Sequence, residues 1–121
     1  MFVDTANGQQ LWATRYTAEN ETNWIPSAAM SPDGTKVYVA TPSRYAFEAD
    51  APARYTTLAY NSADGTVAWT ARHSDGHSFA MGSVLTPDGK RFVVTGMTAP
   101  AGPETINGKN WDFGLAAYAT L

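Results

Sequence analysis

The stretch "NSADGTVAWTARH" at residues 61–73 is nearly repeated by "DTANGQQLWATRY" at residues 4–16. In each, a polar turn ends in Gly (Gly65, Gly8) and three residues lead to a Trp (Trp69, Trp12). Two small residues then separate the Trp from an Arg (Arg72, Arg15). Asp-Gly and Asn-Gly supply the positive φ that a tight hairpin turn needs, so each stretch reads as a turn entering a strand. The two copies stand 57 residues apart. Two further pairs keep the same order along the chain. "SPDGTKVYV" at 31–39 matches "TPDGKRFVV" at 86–94, 55 residues on, and "YTTLAY" at 55–60 matches "FGLAAY" at 113–118, 58 residues on. The spacing drifts while the motifs hold, which is how an internal repeat with variable loops looks.

Each motif predicts a strand or its turn. "KVYVAT" and "RFVVTG" are β-branched and aromatic runs bounded by Pro, Asp and Gly. No window carries a sustained helical period with caps, so the chain reads as all-β. Labelled by position in the repeat, strand A falls at 27–31 and 80–86, and strand B at 36–41 and 90–95. Strand C falls at 55–60 and 113–119, and strand D at 9–16 and 66–73. The order is D-A-B-C-D-A-B-C in a single unit spanning 1–121, with repeats over about 4–60 and 61–120. Val37, Tyr38 and Val39 are consecutive, as are Phe92, Val93 and Val94. A sheet with one wet face alternates apolar and polar residues, whereas a sheet held between neighbours need not.

"TTLAYNSADGTVAWTARH" at 56–73, together with "SPDGTKVYVAT" at 31–41, resembles the bacterial PQQ-like β-propeller repeat. In that family an A-Y-D-x-x-T-G-x-x-x-W hairpin closes the outer edge of each blade. The "SPDG" hairpin is also similar to those of WD40-like and YVTN-type propellers. The resemblance implies two four-stranded antiparallel blades, with Trp12 and Trp69 packing between blades and Gly8 and Gly65 permitting the turns. It names a repeat and implies no bound quinone, so no cofactor is expected. Closed propellers have about 4 to 8 blades, so two blades need a partner.

The strand order offers one. The second blade has A, B and C but no D, and the N-terminal D strand has no blade of its own. Pairing strand 9–16 with strand 113–119 of another copy gives a head-to-tail ring closed by oligomerisation. Three or four copies are expected. Leu11, Trp12, Thr14 and Tyr16 would clasp Leu115 and Tyr118, with Trp12 packed in the neighbouring copy. The rival is a fragment of a larger exported propeller protein whose other blades complete the ring.

The net charge is −3 and there is no Cys. No basic footprint for nucleic acid is present, nor an apolar run of the roughly 20 residues that a membrane helix needs. "MFVDTANGQQ" lacks the basic and apolar regions of a signal peptide. Candidate ligand-binding residues gather in the long connections, which the strand order places on one rim. They are Trp24, Tyr45, Glu48, Asp75, His77, Trp111 and Asp112, a set of aromatics and carboxylates suited to a carbohydrate, a peptide or a small polar ligand. "HSDGH" at 73–77 offers two imidazoles and a carboxylate, short of a zinc set, and reads as solvated loop histidines. "GHSFA" at 76–80 falls one residue short of a nucleophile elbow and has no helix after it. Arg15 and Arg72 read as repeated edge charges. The expected function is a non-catalytic binding and interaction module. A hydrolase or lyase working in the channel of the assembled ring is the alternative.

Overall fold

Four turns of one design organise the chain. In the first, Gly34 adopts φ 74° and the Asp33 carboxylate accepts from Ser31 Oγ at 2.6 Å, Thr35 N at 3.0 Å and Thr35 Oγ1 at 2.8 Å. Asp88 repeats this with Thr86 Oγ1 at 2.6 Å and Lys90 N at 3.0 Å, beside Gly89 at φ 71°. Asp64 does so with Thr66 N at 3.0 Å and Thr66 Oγ1 at 2.7 Å, beside Gly65 at φ 74°. At the N-terminal turn, Asn7 Oδ1 accepts from Gln9 N at 2.8 Å. A carboxylate that caps its own turn while Gly takes the left-handed position is the mechanism behind the Asp-Gly preference.

These hydrogen bonds favour the charged carboxylate. The bonds from Ser31 and Thr35 hold the Asp33 carboxyl down to about 2, and Asp64 and Asp88 are lowered by Thr66 and by Thr86 with Lys90. A depressed carboxyl contributes stability above its ordinary pKa and loses it as pH falls through the folded-state value. Acid titration followed by circular dichroism should therefore show stability falling between about pH 4 and 2. The triple variant Asp33→Asn, Asp64→Asn, Asp88→Asn should flatten that slope. An unchanged slope would contradict the assignment.

The structure is a computed structural model, and it describes residues 2–3, 6–16, 21–23, 27–45, 54–73, 77–99 and 112–120. The strands are β1 (Phe2–Val3), β2 (Gln10–Trp12), β3 (Glu21–Asn23), β4 (Ser27–Met30), β5 (Lys36–Tyr45), β6 (Arg54–Asn61), β7 (Val67–His73), β8 (His77–Leu85), β9 (Arg91–Ala99) and β10 (Asp112–Ala119). Every pairing is antiparallel. Sheet I runs β4-β5-β6-β7, with β3 continuing the β4 edge along the far end of β5. Sheet II runs β8-β9-β10, and β1 and β2 form a separate hairpin. Among the described residues there is no helix long and apolar enough to cross a membrane.

The all-β class and the order of strands A to C in both repeats, with D closing the first, agree with the sequence reading. Three details differ. Strand β2 covers three residues where 9–16 was expected, because its partner among the described residues is only the two-residue β1. Strands β1 and β3 were not foreseen. The B strands run past their expected ends, to Tyr45 and Ala99.

The inner faces of the sheets meet in one core. Cross-strand rows place Ala29, Tyr38, Ala59 and Trp69 on the face of sheet I that looks toward sheet II. Leu85, Phe92 and Tyr118 form the answering row of sheet II. Tyr38 stacks on Phe92 with ring centroids 5.5 Å apart and planes 29° apart, within the range where aromatic pairs add to area burial. Ser27 and Ser83 hydrogen-bond across the same gap at 2.5 Å. On the opposite face of sheet I, Val39, Leu58 and Tyr60 are also buried, with Tyr16 packed on them. Sheet I is thus apolar on both faces, as its consecutive hydrophobics required.

The two repeats also tie off alike. Ser62 N donates to Thr35 O at 3.0 Å, and Ser62 Oγ donates to Gly34 O. In sheet II, Thr120 N donates to Lys90 O at 3.1 Å and Thr120 Oγ1 to Gly89 O at 2.5 Å. Each C strand is thereby fastened to the preceding Pro-Asp-Gly turn by a hydroxyl residue at its end.

Candidate functional site

The features that repeat most closely are contacts between neighbouring sheets, and two of them rest on a glycine. Trp12 Nε1 donates to Ser62 O at 2.7 Å. A Cβ added to Gly65 would meet that indole at 2.6 Å, so only Gly lets the ring lie flat over the turn. A Cβ on Gly89 would meet the ring of Pro32 at 2.7 Å, so the first Pro-Asp-Gly turn rests on the second. Each contact runs forward along the chain. The repeat-related glycines are open: among the described residues nothing lies within 4 Å of a Cβ built on Gly8 or on Gly34.

Trp12 was expected in a neighbouring copy. In the single chain it docks on the turn of sheet I. The hairpin that carries it copies the β6–β7 hairpin. Phe2 pairs Trp12 and Val3 pairs Gln10, as Ala59 pairs Trp69 and Tyr60 pairs Val67, with an irregularity at the same step. The described residues of 2–16 are therefore a second, partial copy of the C–D hairpin. The sequence signal was "FVD" ahead of "TANG", matching "AYN" ahead of "SADG", but two residues are too few to register as a strand.

Apolar side chains remain uncovered at both ends of the stack. The outer face of sheet II presents Met97 beside Phe113, and Leu115 in the next row, with Val84 beyond. Phe113 is 83 % exposed and Leu115 65 %. On the far face of sheet I, Met30 and Val67 share the row of Val37 and Tyr60 and are exposed. Among the clasp candidates, Leu11, Thr14 and Leu115 are exposed, while Trp12, Tyr16 and Tyr118 are half-buried. Burial, with Tyr16 alongside, pushes the Tyr60 hydroxyl up.

Four rim candidates, Trp24, Glu48, Asp75 and Trp111, lie outside the described residues. Tyr45 ends β5 opposite Glu21, His77 opens β8 opposite Ala99, and Asp112 opens β10 opposite Thr98 and is exposed. These three come from three different strands.

A cleft of about 230 Å³ lies between the sheets nearby, lined by Tyr55, His73, Ser78, Phe79, Met97 and Gly114 among others. His73 was read as a solvated loop residue; it is the last residue of β7 and stacks on Tyr55 at 4.7 Å with planes 11° apart. Burial and a hydrogen bond from Tyr118, at 3.4 Å, push the Tyr55 hydroxyl well above its usual range. It therefore stays neutral at ordinary pH. Ser78 is 2 % exposed and sits inside β8, so it lies in a strand and on no nucleophile elbow.

A second hollow, about 320 Å³, separates the two Pro-Asp-Gly turns, between Lys36, Asp88, Lys90 and Thr120. Among the described residues no group of three His, Cys, Asp or Glu side chains could hold a metal. Among the described residues, the fully buried hydroxyls Thr56 Oγ1 and Thr57 Oγ1 have no hydrogen-bond partner; they point to opposite faces of β6, so they form no joint site.

The geometry is thus richer in sheet-to-sheet contacts than in converging chemistry. No protein-family model, curated protein or solved structure matches this chain.

Proposed function

We propose that this chain is a non-catalytic interaction module of the β-propeller type. Sheets I and II act as neighbouring blades, and further copies complete the ring head to tail. The observation that carries this reading is the stacking of two repeat-related sheets, Tyr38 on Phe92 at 5.5 Å. It leaves Val84, Met97, Phe113 and Leu115 exposed on the outer face of sheet II, and Met30 and Val67 exposed on the far face of sheet I, where Tyr16 packs over the buried Val39, Leu58 and Tyr60. A contiguous exposed apolar face marks an association surface, and a contact that repeats head to tail closes into a ring when its rotation permits. A carbohydrate, peptide or small polar ligand would then bind on the rim where the long connections gather.

The test is the mass of the folded protein by light scattering at micromolar concentration. A single species of three or four copies is the expected result, corresponding to six or eight blades. A folded monomer throughout would overturn the proposal.

A further inference from the structure

We infer that the junction between copies repeats two contacts already made within one chain: Trp69 of one copy lies over Gly8 of the next, and Pro87 lies over Gly34 of the next. This rests on the head-to-tail reading and gives it a residue-level lock.

The repeat maps Trp12 onto Trp69 and Gly65 onto Gly8, and it maps Pro32 onto Pro87 and Gly89 onto Gly34. Inside the chain, the Trp12 ring covers Gly65 and the Pro32 ring covers Gly89. At the ends, Gly8 and Gly34 keep the same left-handed conformation, φ 73° and 74°, with open space above them. Trp69 is half-buried, its ring 6.2 Å from Tyr38 and 6.3 Å from Tyr118.

Both unmet pairs run forward, from Trp69 on β7 and Pro87 in the β8–β9 turn of one copy to the N-terminal turn at Gly8 and the β4–β5 turn at Gly34 of the next. A second copy therefore satisfies them together, by continuing the interface that already joins sheet I to sheet II. Each copy carries the matching half.

The same mapping fixes the strand register. The β6–β7 pairs Ala59 with Trp69, Thr57 with Ala71 and Tyr55 with His73 become Ala117 with Trp12, Leu115 with Thr14 and Phe113 with Tyr16 across the junction. In the single chain, Phe2 and Val3 of β1 hold the place that Ala117 and Tyr118 of the other copy would take. Assembly thus exchanges a two-residue pairing for the longer ladder of β10, and β1 is its built-in competitor.

Gly8→Asn and Gly34→Asn test the lock. Asn tolerates the left-handed region better than other residues with a side chain, and open space at both sites lets the single chain accept it. Each should leave the circular dichroism of the chain unchanged. Each should also weaken association about tenfold or more by sedimentation equilibrium, the scale of an overpacked contact. Removing residues 1–3 should strengthen association. Oligomers of unchanged affinity in both Asn variants would overturn the lock and leave head-to-tail assembly standing. A wild-type chain that stays monomeric, as expected if covalently linked blades are the natural partners, would overturn both.

Discussion

Phe92→Ala should lower the stability of the fold by about 3–5 kcal/mol, the range for truncating a fully buried Phe. Phe92 is 0 % exposed. It sits in the row between Leu85 and Tyr118 and stacks on Tyr38 of the other sheet. Truncation removes apolar burial from both sheets and leaves a void that the flanking strands cannot collapse into without breaking the ladder. Domains of this size hold about 5–15 kcal/mol in all, so about a fifth or more of the stability would go. Urea unfolding should show the midpoint falling with the slope unchanged. Leu115→Ala is the counterpart: that side chain is 65 % exposed, so the single chain should lose no more than about 0.5 kcal/mol. A small loss at Phe92 would mean that the two sheets do not meet there.

Gly96→Ala should be of similar severity for a different reason. A Cβ at Gly96 would fall 1.8 Å from the carbonyl oxygen of Phe79 and 2.8 Å from its carbon. Those atoms belong to the β8 backbone, just before the irregularity between Ala80 and Gly82, and no rotamer change can move them aside. The β8–β9 ladder must part locally, a cost at or beyond the upper end of the usual 1–3 kcal/mol for overpacking, about 3 kcal/mol or more. Gly82→Ala nearby meets nothing closer than 3.7 Å and should cost about 1 kcal/mol or less. Thermal unfolding of the two variants side by side gives the comparison. Equal, small effects would contradict the close approach of β8 and β9.

The turns are where sequence spoke most clearly. Asp33, Asp64 and Asp88 each precede a Gly and follow a hydroxyl or amide residue by two or three positions, and all three cap their turns as that chemistry requires. Consecutive hydrophobics at 37–39 announced a sheet covered on both faces, and Tyr38 and Val39, on opposite faces of sheet I, are both buried. At 92–94, Phe92 and Val94 are buried on the inner face of sheet II, while its outer face is exposed. Short elements were harder to read. Strand β1 has two residues and β3 is "ETN", neither long enough nor patterned enough to show a period.

The position of Trp12 was legible only in part. Its motif marked it as a packing residue, but whether it packs on its own chain or on another depends on how far a hairpin can reach. His73 misled because "HSDGH" is polar as a string, while its pairing register sets His73 beside Tyr55. Of the rim candidates, those within the described residues lie at the ends of separate strands. Recognition there would depend on loop placement, which strand periodicity does not encode.

The most direct test of head-to-tail assembly is amide hydrogen exchange along β10 as a function of protein concentration. Half of its amides point to β9 and are paired within the chain; the others point away, toward the edge that β2 of another copy would cover. The account predicts that the outward amides between Phe113 and Tyr118 become protected at micromolar concentration and lose that protection on dilution, while the inward set stays protected throughout. Fast exchange of the outward set at every concentration, in a chain whose inward set remains protected, would contradict it.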